Sequence, residues 1–226
     1  MPYPFPGRGL YAIADAVCDE RAVSEAIAGG AVVVQYRAKS KHSDERRRQA
    51  LVFRRACHRL TVPFIVNDDL ELARIVGADG AHLGRSDAPY AVAREVLGPT
   101  AIIGVSCYND LNRASEAAAA GADYVAFGSF YPSASKPNAV RAEPTLLGRA
   151  RRRFSIPVVA IGGITPENGG RLIGAGADLL AVIRGVFGSC DHREADPRAA
   201  ARRYAGLFEA NHPEKLTTLG ALHVVL

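Results

Sequence analysis

The sequence predicts one α/β domain, a (βα)8 TIM barrel with a parallel eight-stranded sheet, and three observations predict it. Short apolar runs rich in valine and isoleucine recur eight times along the 226 residues. Stretches of helical character separate them, so each strand returns to the sheet through a helical crossover and the strands run parallel. Polar residues then collect at the C-terminal ends of runs two through six. A ring of polar strand ends, in place of a single switch point, favours a closed barrel over the alternative, an open doubly wound sheet.

The eight runs cover residues 9–15, 31–37, 63–68, 80–84, 101–107, 124–129, 157–163 and 179–185. Several are apolar without alternation, the pattern of a strand covered on both faces. In the second intervening helix Ser43 stands as the N-cap before Asp44 and Glu45, and Ala50, Phe53, Cys57 and Leu60 keep one apolar stripe. Thr165 before Pro166 places a capping hydroxyl ahead of a first-turn proline. Helices end at Ala-Gly-Ala-Asp at 120–123 and again at 175–178, and at Gly29-Gly30, where glycine accepts the left-handed turn. The barrel domain is expected over 1–210, with 211–226 as a C-terminal tail.

Composition narrows the function. Hydrophobic residues make up 48% and charged residues 23%, enough apolar material for a large core. The N-terminal residues lack the basic start and apolar run of a signal peptide, and no segment approaches a membrane span, so a cytoplasmic protein without a membrane partner is expected. Cys18, Cys57, Cys107 and Cys190 have neither zinc-ligand nor disulfide-framework spacing. The 28 basic against 23 acidic residues give a net charge of +5, but arginine runs at 46–48 and 151–153 read as solvated helix faces. Without an aromatic-interleaved basic stretch they do not point to nucleic acid. A small anionic substrate accounts for the balance equally well.

The chemistry gathers at the strand ends. Alternation along run two sends Gln35, Arg37 and Lys39 to one side, where two cations and an amide suit a diphosphate; a solvated strand end remains the alternative. Asp68 ends run three and run four leads on to Asp87; the two can share magnesium, which binds through one or two carboxylates plus substrate phosphates. Asp69 reads instead as a helix cap, and His82 as an ordered barrel-wall histidine. Ser106 closes run five. The loop from Gly128 to Pro137, with Ser133, Ser135 and Lys136, fits a lid over phosphates or an ordinary surface loop. Gly162-Gly163 after run seven and Ile183-Arg184-Gly185 after run eight occupy the usual phosphate position of such barrels.

The segments QYRAK at 35–39, VNDD at 66–69, HLG at 82–84 followed by Asp87, GVS at 104–106, YPSASK at 131–136 and IGGIT at 161–165 stand in one order on successive strand ends. In that set the chain resembles the thiamine phosphate synthase family, over residues 9 to about 188. The resemblance implies coupling of 4-amino-2-methyl-5-hydroxymethylpyrimidine diphosphate to a thiazole phosphate, with or without a 2-carboxylate, and release of pyrophosphate. It implies Mg2+ on Asp68 and Asp87, and a dissociative mechanism served by Arg37, Lys39, Lys136 and Ser106. The pyrimidine diphosphate would lie against Gln35, Arg37, Lys39, Asn67, Ser106 and Lys136, with Tyr36 and Ala38 in the same stretch. The thiazole phosphate would meet Ser133, Ala134, Ser135, Gly163, Ile183 and Arg184.

Two positions depart from that pattern: Arg85 stands where glutamine is usual and Arg184 where serine is usual. A thiazole tautomerase of the same fold is one rival reading, and a non-catalytic phosphate-binding barrel another. The tautomerase has no need for Asp68, Asp87 and Lys136 as a set, and the non-catalytic barrel would bind its ligand without releasing pyrophosphate. The partners implied are two phosphorylated small molecules, and a homo-oligomer is left open.

Overall fold

The structure is a computed structural model and describes residues 4–15, 18–38, 42–132, 139–188 and 196–211. Eight strands close into an all-parallel barrel in sequence order: β1 (Gly9–Ala14), β2 (Ala31–Tyr36), β3 (Phe64–Asn67), β4 (Gly80–Leu83), β5 (Ile102–Tyr108), β6 (Tyr124–Phe127), β7 (Val158–Ile161) and β8 (Leu179–Val182). The helices between them are α1 (Glu20–Ala28), α2 (Ser43–Arg59), α3 (Leu70–Val76), α4 (Tyr90–Leu97), α5 (Leu111–Ala119), α6 (Thr145–Arg153) and α7 (Pro166–Gly174). After β8 come a single turn, α8 (Arg184–Phe187), and the closing helix α9 (Pro197–Ala210). Among the described residues no helix is long and apolar enough to cross a membrane.

The expected strands are all present, most of them one to three residues shorter at the C-terminal end. At β2 the residue that leaves the ladder is Arg37, which faces the barrel mouth. Arg184, expected at a strand end, opens the α8 turn instead. At α2 the N-cap is His42, without a side-chain cap bond, and Ser43 is already helical. Ala50, Phe53 and Cys57 are buried as the stripe requires, but Leu60 lies past the helix end and is exposed. Thr165 forms a capping box with Asn168 ahead of Pro166.

A repeat holds the lower rim. Each of α3, α5 and α7 is followed by Gly-Ala-Asp, and Gly77, Gly121 and Gly176 take φ values of 62°, 95° and 117° to make the turn. The three aspartates then bond the neighbouring strand twice. Asp79, Asp123 and Asp178 donate their backbone N–H to the carbonyls of Phe64, Ile103 and Val158 at 2.8–2.9 Å. Their carboxylates accept the N–H groups of the same three residues at 2.8–2.9 Å. Each also meets a basic side chain from the helix before the bonded pair: His58 on α2, Arg94 on α4 and Arg151 on α6. Strands are thereby joined pairwise, β3 to β4, β5 to β6 and β7 to β8, at the end remote from the mouth.

Inside, Tyr11, Ile13, Val33, Ile65, Ile102, Tyr124, Ala126, Val159, Leu179 and Ala181 form one apolar cluster. Phe5 plugs it from below, its ring stacked 4.1 Å from that of Tyr124. Room for Tyr124 comes from Gly104 on the neighbouring strand, where a Cβ would stand 1.9 Å from the phenol ring. Alternate strand residues such as Leu10, Phe64, Phe127 and Leu180, with Phe53 of α2, fill the space between barrel and helices. Cys18, Cys57 and Cys107 are free and buried, and burial pushes the thiols of Cys18 and Cys107 up to about 12, so neither offers a thiolate.

The rim repeat generates a prediction. Asp178→Ala should cost about 2–4 kcal/mol in urea unfolding, because the buried Val158 N–H loses its acceptor, whereas Arg151→Ala at the half-exposed end should cost less than about 1 kcal/mol. Equal losses for the two variants would show that the ion pair, and not the backbone bond, is what the aspartate supplies.

Candidate active site

The mouth of the barrel is a cavity of about 300 Å³ with a divided wall. Gln35 and Arg37 from β2, Asn67 from β3, His82 from β4, and Ser106 and Tyr108 from β5 supply the polar half. Ile13, Ala126, Val159, Ile161, Ala181 and Ile183, from β6, β7, β8 and β1, supply the apolar half. This division follows from strand parity. Residues two apart share a face, so the inward residue above the interior cluster is polar on four successive strands and apolar on the other four.

Each polar group is held by its surroundings. Arg37 leaves β2 with its N–H bonded to Ala14 C=O at 2.8 Å. Gln35 is buried and donates from Nε2 to the Tyr11 hydroxyl at 2.8 Å. His82 lies between the Tyr124 hydroxyl at 2.9 Å and Ser106 Oγ at 2.8 Å. Arg113 on α5 donates to Ser106 C=O at 2.8 Å and to Gly84 C=O at 3.0 Å, tying the ends of β4 and β5 together.

Asp68 occupies a left-handed conformation, φ 64°, and Asp69 N–H closes back on Asn67 C=O at 2.7 Å across it. A tight turn of this kind strains a residue with a Cβ and recurs at functional positions. Asp68 N–H is anchored to His82 C=O at 2.9 Å, while Asp69 turns away to cap α3 and pair with Arg46. Asp87 is steadied by Gly84 N–H, which donates to its Oδ2 at 2.6 Å.

The carboxyls of Asp68 and Asp87 come within hydrogen-bonding reach of each other. Partial burial, the hydrogen bond to Asp87 and its like charge push the Asp68 carboxyl up to about 6, against the pull of Arg37. Two facing carboxylates call for a shared proton or a cation. Among the described residues no cluster of three or more histidine, cysteine or acidic side chains could hold a metal alone. A pair of that kind fits magnesium, whose remaining ligands are substrate phosphate and water.

Other predicted residues fall elsewhere. The Tyr36 side chain points out of the barrel, packs edge-on against Phe53 and donates to Gln49 Oε1 at 2.9 Å. Ala38 packs on the same outer cluster. Neither side chain faces the cavity, because the parity that brings Gln35 and Arg37 inward sends their neighbours outward. Arg184 is exposed and does not line the cavity, and Arg85 folds its guanidinium 4.9 Å over the Tyr108 ring. Ile183 lines the cavity, and Gly163, φ 63°, lies so close to Tyr131 and Pro132 that a Cβ would meet Pro132 O at 2.3 Å. Lys39, Ser133, Ala134, Ser135 and Lys136 lie outside the described residues.

Sequence reading missed Tyr11, Tyr124, Arg113 and Tyr204. Inward parity in runs one and six could have found the first two. Tyr204 on α9 has no such signal: its hydroxyl donates to Ile164 C=O at 3.0 Å and would stand 2.0 Å from a Cβ at Gly185, wedged beneath the loops after both β7 and β8.

The chain is similar to known proteins over most of its length. The pattern of the thiamine monophosphate synthase family matches residues 10–186. Thiamine-phosphate synthase of Thiobacillus denitrificans is 53% identical over 195 residues, 84% of this chain and 92% of that protein. The thiamine-phosphate synthase of Methylococcus capsulatus is 48% identical over 216 residues, 93% of each chain. Among solved structures, thiamine phosphate pyrophosphorylase from Pyrococcus furiosus superposes with a TM-score of 0.80 at 35% identity, over 89% of this chain and 96% of that one.

The carboxylate pair makes a prediction about stability. Folding raises the Asp68 pKa from 3.8 to about 6, so the folded chain holds more protons in that window. Stability of the metal-free protein must therefore fall as pH rises through it. Asp68 is open to the mouth, and water screens the effect to about 1 kcal/mol. Asp68→Asn should abolish this slope and raise the metal-free melting temperature at neutral pH by roughly 2–4 °C. A variant that melts lower than the parent at neutral pH would contradict the repulsion.

Proposed function

The chain belongs to the thiamine monophosphate synthase family, and from that premise we propose that this transferase of thiamine biosynthesis joins 4-amino-2-methyl-5-hydroxymethylpyrimidine diphosphate to a thiazole phosphate with release of pyrophosphate. The observation that carries this reading is the division of one cavity into a polar half that includes Arg37 and an apolar half. A diphosphate needs the first, and a carbon centre that becomes positively charged needs shelter from water in the second.

The reaction breaks the bond between the pyrimidine methylene carbon and the diphosphate oxygen. The bond's electron pair leaves with pyrophosphate, and the resulting cation takes the lone pair of the thiazole nitrogen to form the new carbon–nitrogen bond. No protein nucleophile or base enters this balance. What the chain supplies is electrostatic preorganisation. Arg37 faces the leaving oxygens, and Lys39 and Lys136 are proposed to do the same. Asp68 and Asp87 would hold magnesium, which when bound supplies Lewis-acid neutralisation of the diphosphate charge. Gln35, Asn67 and Ser106 orient the pyrimidine ring, and Val159, Ile161, Ala181 and Ile183 keep water from the cation. The loops at Gly163 and Ile183, backed by Tyr204, are proposed to receive the thiazole phosphate together with Ser133, Ala134 and Ser135.

Purified protein given both substrates and magnesium should form thiamine phosphate and pyrophosphate in equal amounts, and chelation of divalent ions should stop it. Binding of either phosphate compound without product would sink the synthase reading. Arg37→Ala and Lys136→Ala should each lower kcat by roughly 10²-fold while affinity for the thiazole phosphate changes little, since both meet charge that grows as the bond breaks. A selective loss of thiazole phosphate affinity would move either residue to the other half of the cavity.

A further inference from the structure

An unbroken chain of hydrogen bonds crosses the floor of the cavity, passing through three residues that the mechanism above does not use. Gln35 Nε2 donates to the Tyr11 hydroxyl at 2.8 Å, and the Tyr11 and Tyr124 hydroxyls lie 2.7 Å apart. The Tyr124 hydroxyl is 2.9 Å from His82 Nδ1, and His82 Nε2 is 2.8 Å from Ser106 Oγ. Both tyrosines are fully buried, and burial holds their phenols well above the ordinary value of 10.0, so each hydroxyl keeps one proton to give. With Gln35 donating into the chain and the imidazole neutral, only one direction uses every hydroxyl proton within the chain. Tyr11 gives its proton to Tyr124, Tyr124 gives its own to His82 Nδ1, and the imidazole proton therefore sits on Nε2 and is donated to Ser106 Oγ. The two ends then present opposite characters to the cavity they line: Gln35 Oε1 as an acceptor and the Ser106 hydroxyl as a donor.

We propose that this chain is a one-way relay that fixes the donor and acceptor pattern of the cavity floor, making Tyr11, Tyr124 and His82 positioning residues that select a 4-aminopyrimidine ring over its 4-oxo counterpart. The inference rests on the pyrimidine reading given above. An exocyclic amine offers N–H to Gln35 Oε1, and a ring nitrogen offers its lone pair to the Ser106 hydroxyl. A 4-oxo ring in the same seat sets a carbonyl oxygen against Gln35 Oε1. Turning the amide over to receive it requires every proton in the relay to reverse and the imidazole to change tautomer. Each end thus controls the other across the barrel, through bonds that strengthen one another in a dry interior.

Two measurements on the full-length protein test this. Long-range 15N–1H spectra of neutral His82, identified by the signals lost in His82→Asn, should show the Nε2–H tautomer. The Nδ1–H tautomer would overturn the direction of the relay whether or not thiamine phosphate is formed. Second, kcat/KM for the 4-amino pyrimidine diphosphate relative to its 4-oxo analogue should drop about tenfold or more in Tyr124→Phe, a change that removes one hydroxyl and keeps the packing. Tyr11→Phe, tested beside it, should lower the same ratio. A ratio unchanged in both folded variants would overturn the selection. Absence of product from the parent protein would overturn the pyrimidine reading and the selectivity built on it, while the spectrum decides the direction separately.

Discussion

Two tyrosine hydroxyls meeting at 2.7 Å in the middle of the barrel mark the level at which its dry interior ends and its polar mouth begins. Below them the rings of Phe5, Tyr11 and Tyr124 fill the space with aromatic surface. Above them each hydroxyl must find partners, because an unsatisfied polar group in such a place costs about 1–3 kcal/mol. The partners available are the inward side chains of β2 and β4, Gln35 and His82, and His82 in turn reaches Ser106 on β5. Satisfaction of two buried phenols thus organises the polar half of the cavity before any ligand arrives. Gly104 is part of the same constraint, since a larger residue there would exclude the Tyr124 ring.

Stability and function are drawn from opposite ends of the barrel. At the lower rim every aspartate of the Gly-Ala-Asp repeat accepts a backbone N–H and meets a basic side chain. At the mouth Asp68 faces another carboxylate from a left-handed backbone, an arrangement that opposes folding. The two ends use the same residue type with opposite sign. A protein can carry the second only because closed pairing of eight strands and a repeated rim supply stability elsewhere.

Much of this was legible from residues alone. Eight valine- and isoleucine-rich runs predicted eight strands because a parallel barrel buries both faces of each. Two copies of Ala-Gly-Ala-Asp pointed to a repeated turn; the third, at Gly77-Ala78-Asp79, was hidden by a valine before it, and the bonding role of its aspartate appears only in three dimensions. Period-two alternation placed Gln35 and Arg37 at the mouth, and the same alternation, not applied to Tyr36, would have removed that side chain from the substrate list. Arg113 and Tyr204 were illegible for another reason. Each reaches the site from a helix to grip backbone carbonyls, and a carbonyl leaves no mark in a sequence.

In the proposed reaction this mouth stabilises separating charge and lends no nucleophile or base. The most direct measurement is the secondary isotope effect of two deuterons on the pyrimidine methylene, determined in a single turnover with saturating thiazole phosphate. If the carbon–oxygen bond breaks before the new bond forms, the carbon flattens in the transition state, and a clearly normal effect is predicted. An effect of unity would mean that the incoming nitrogen, or a group on the protein, pushes the pyrophosphate out, and would contradict the claim.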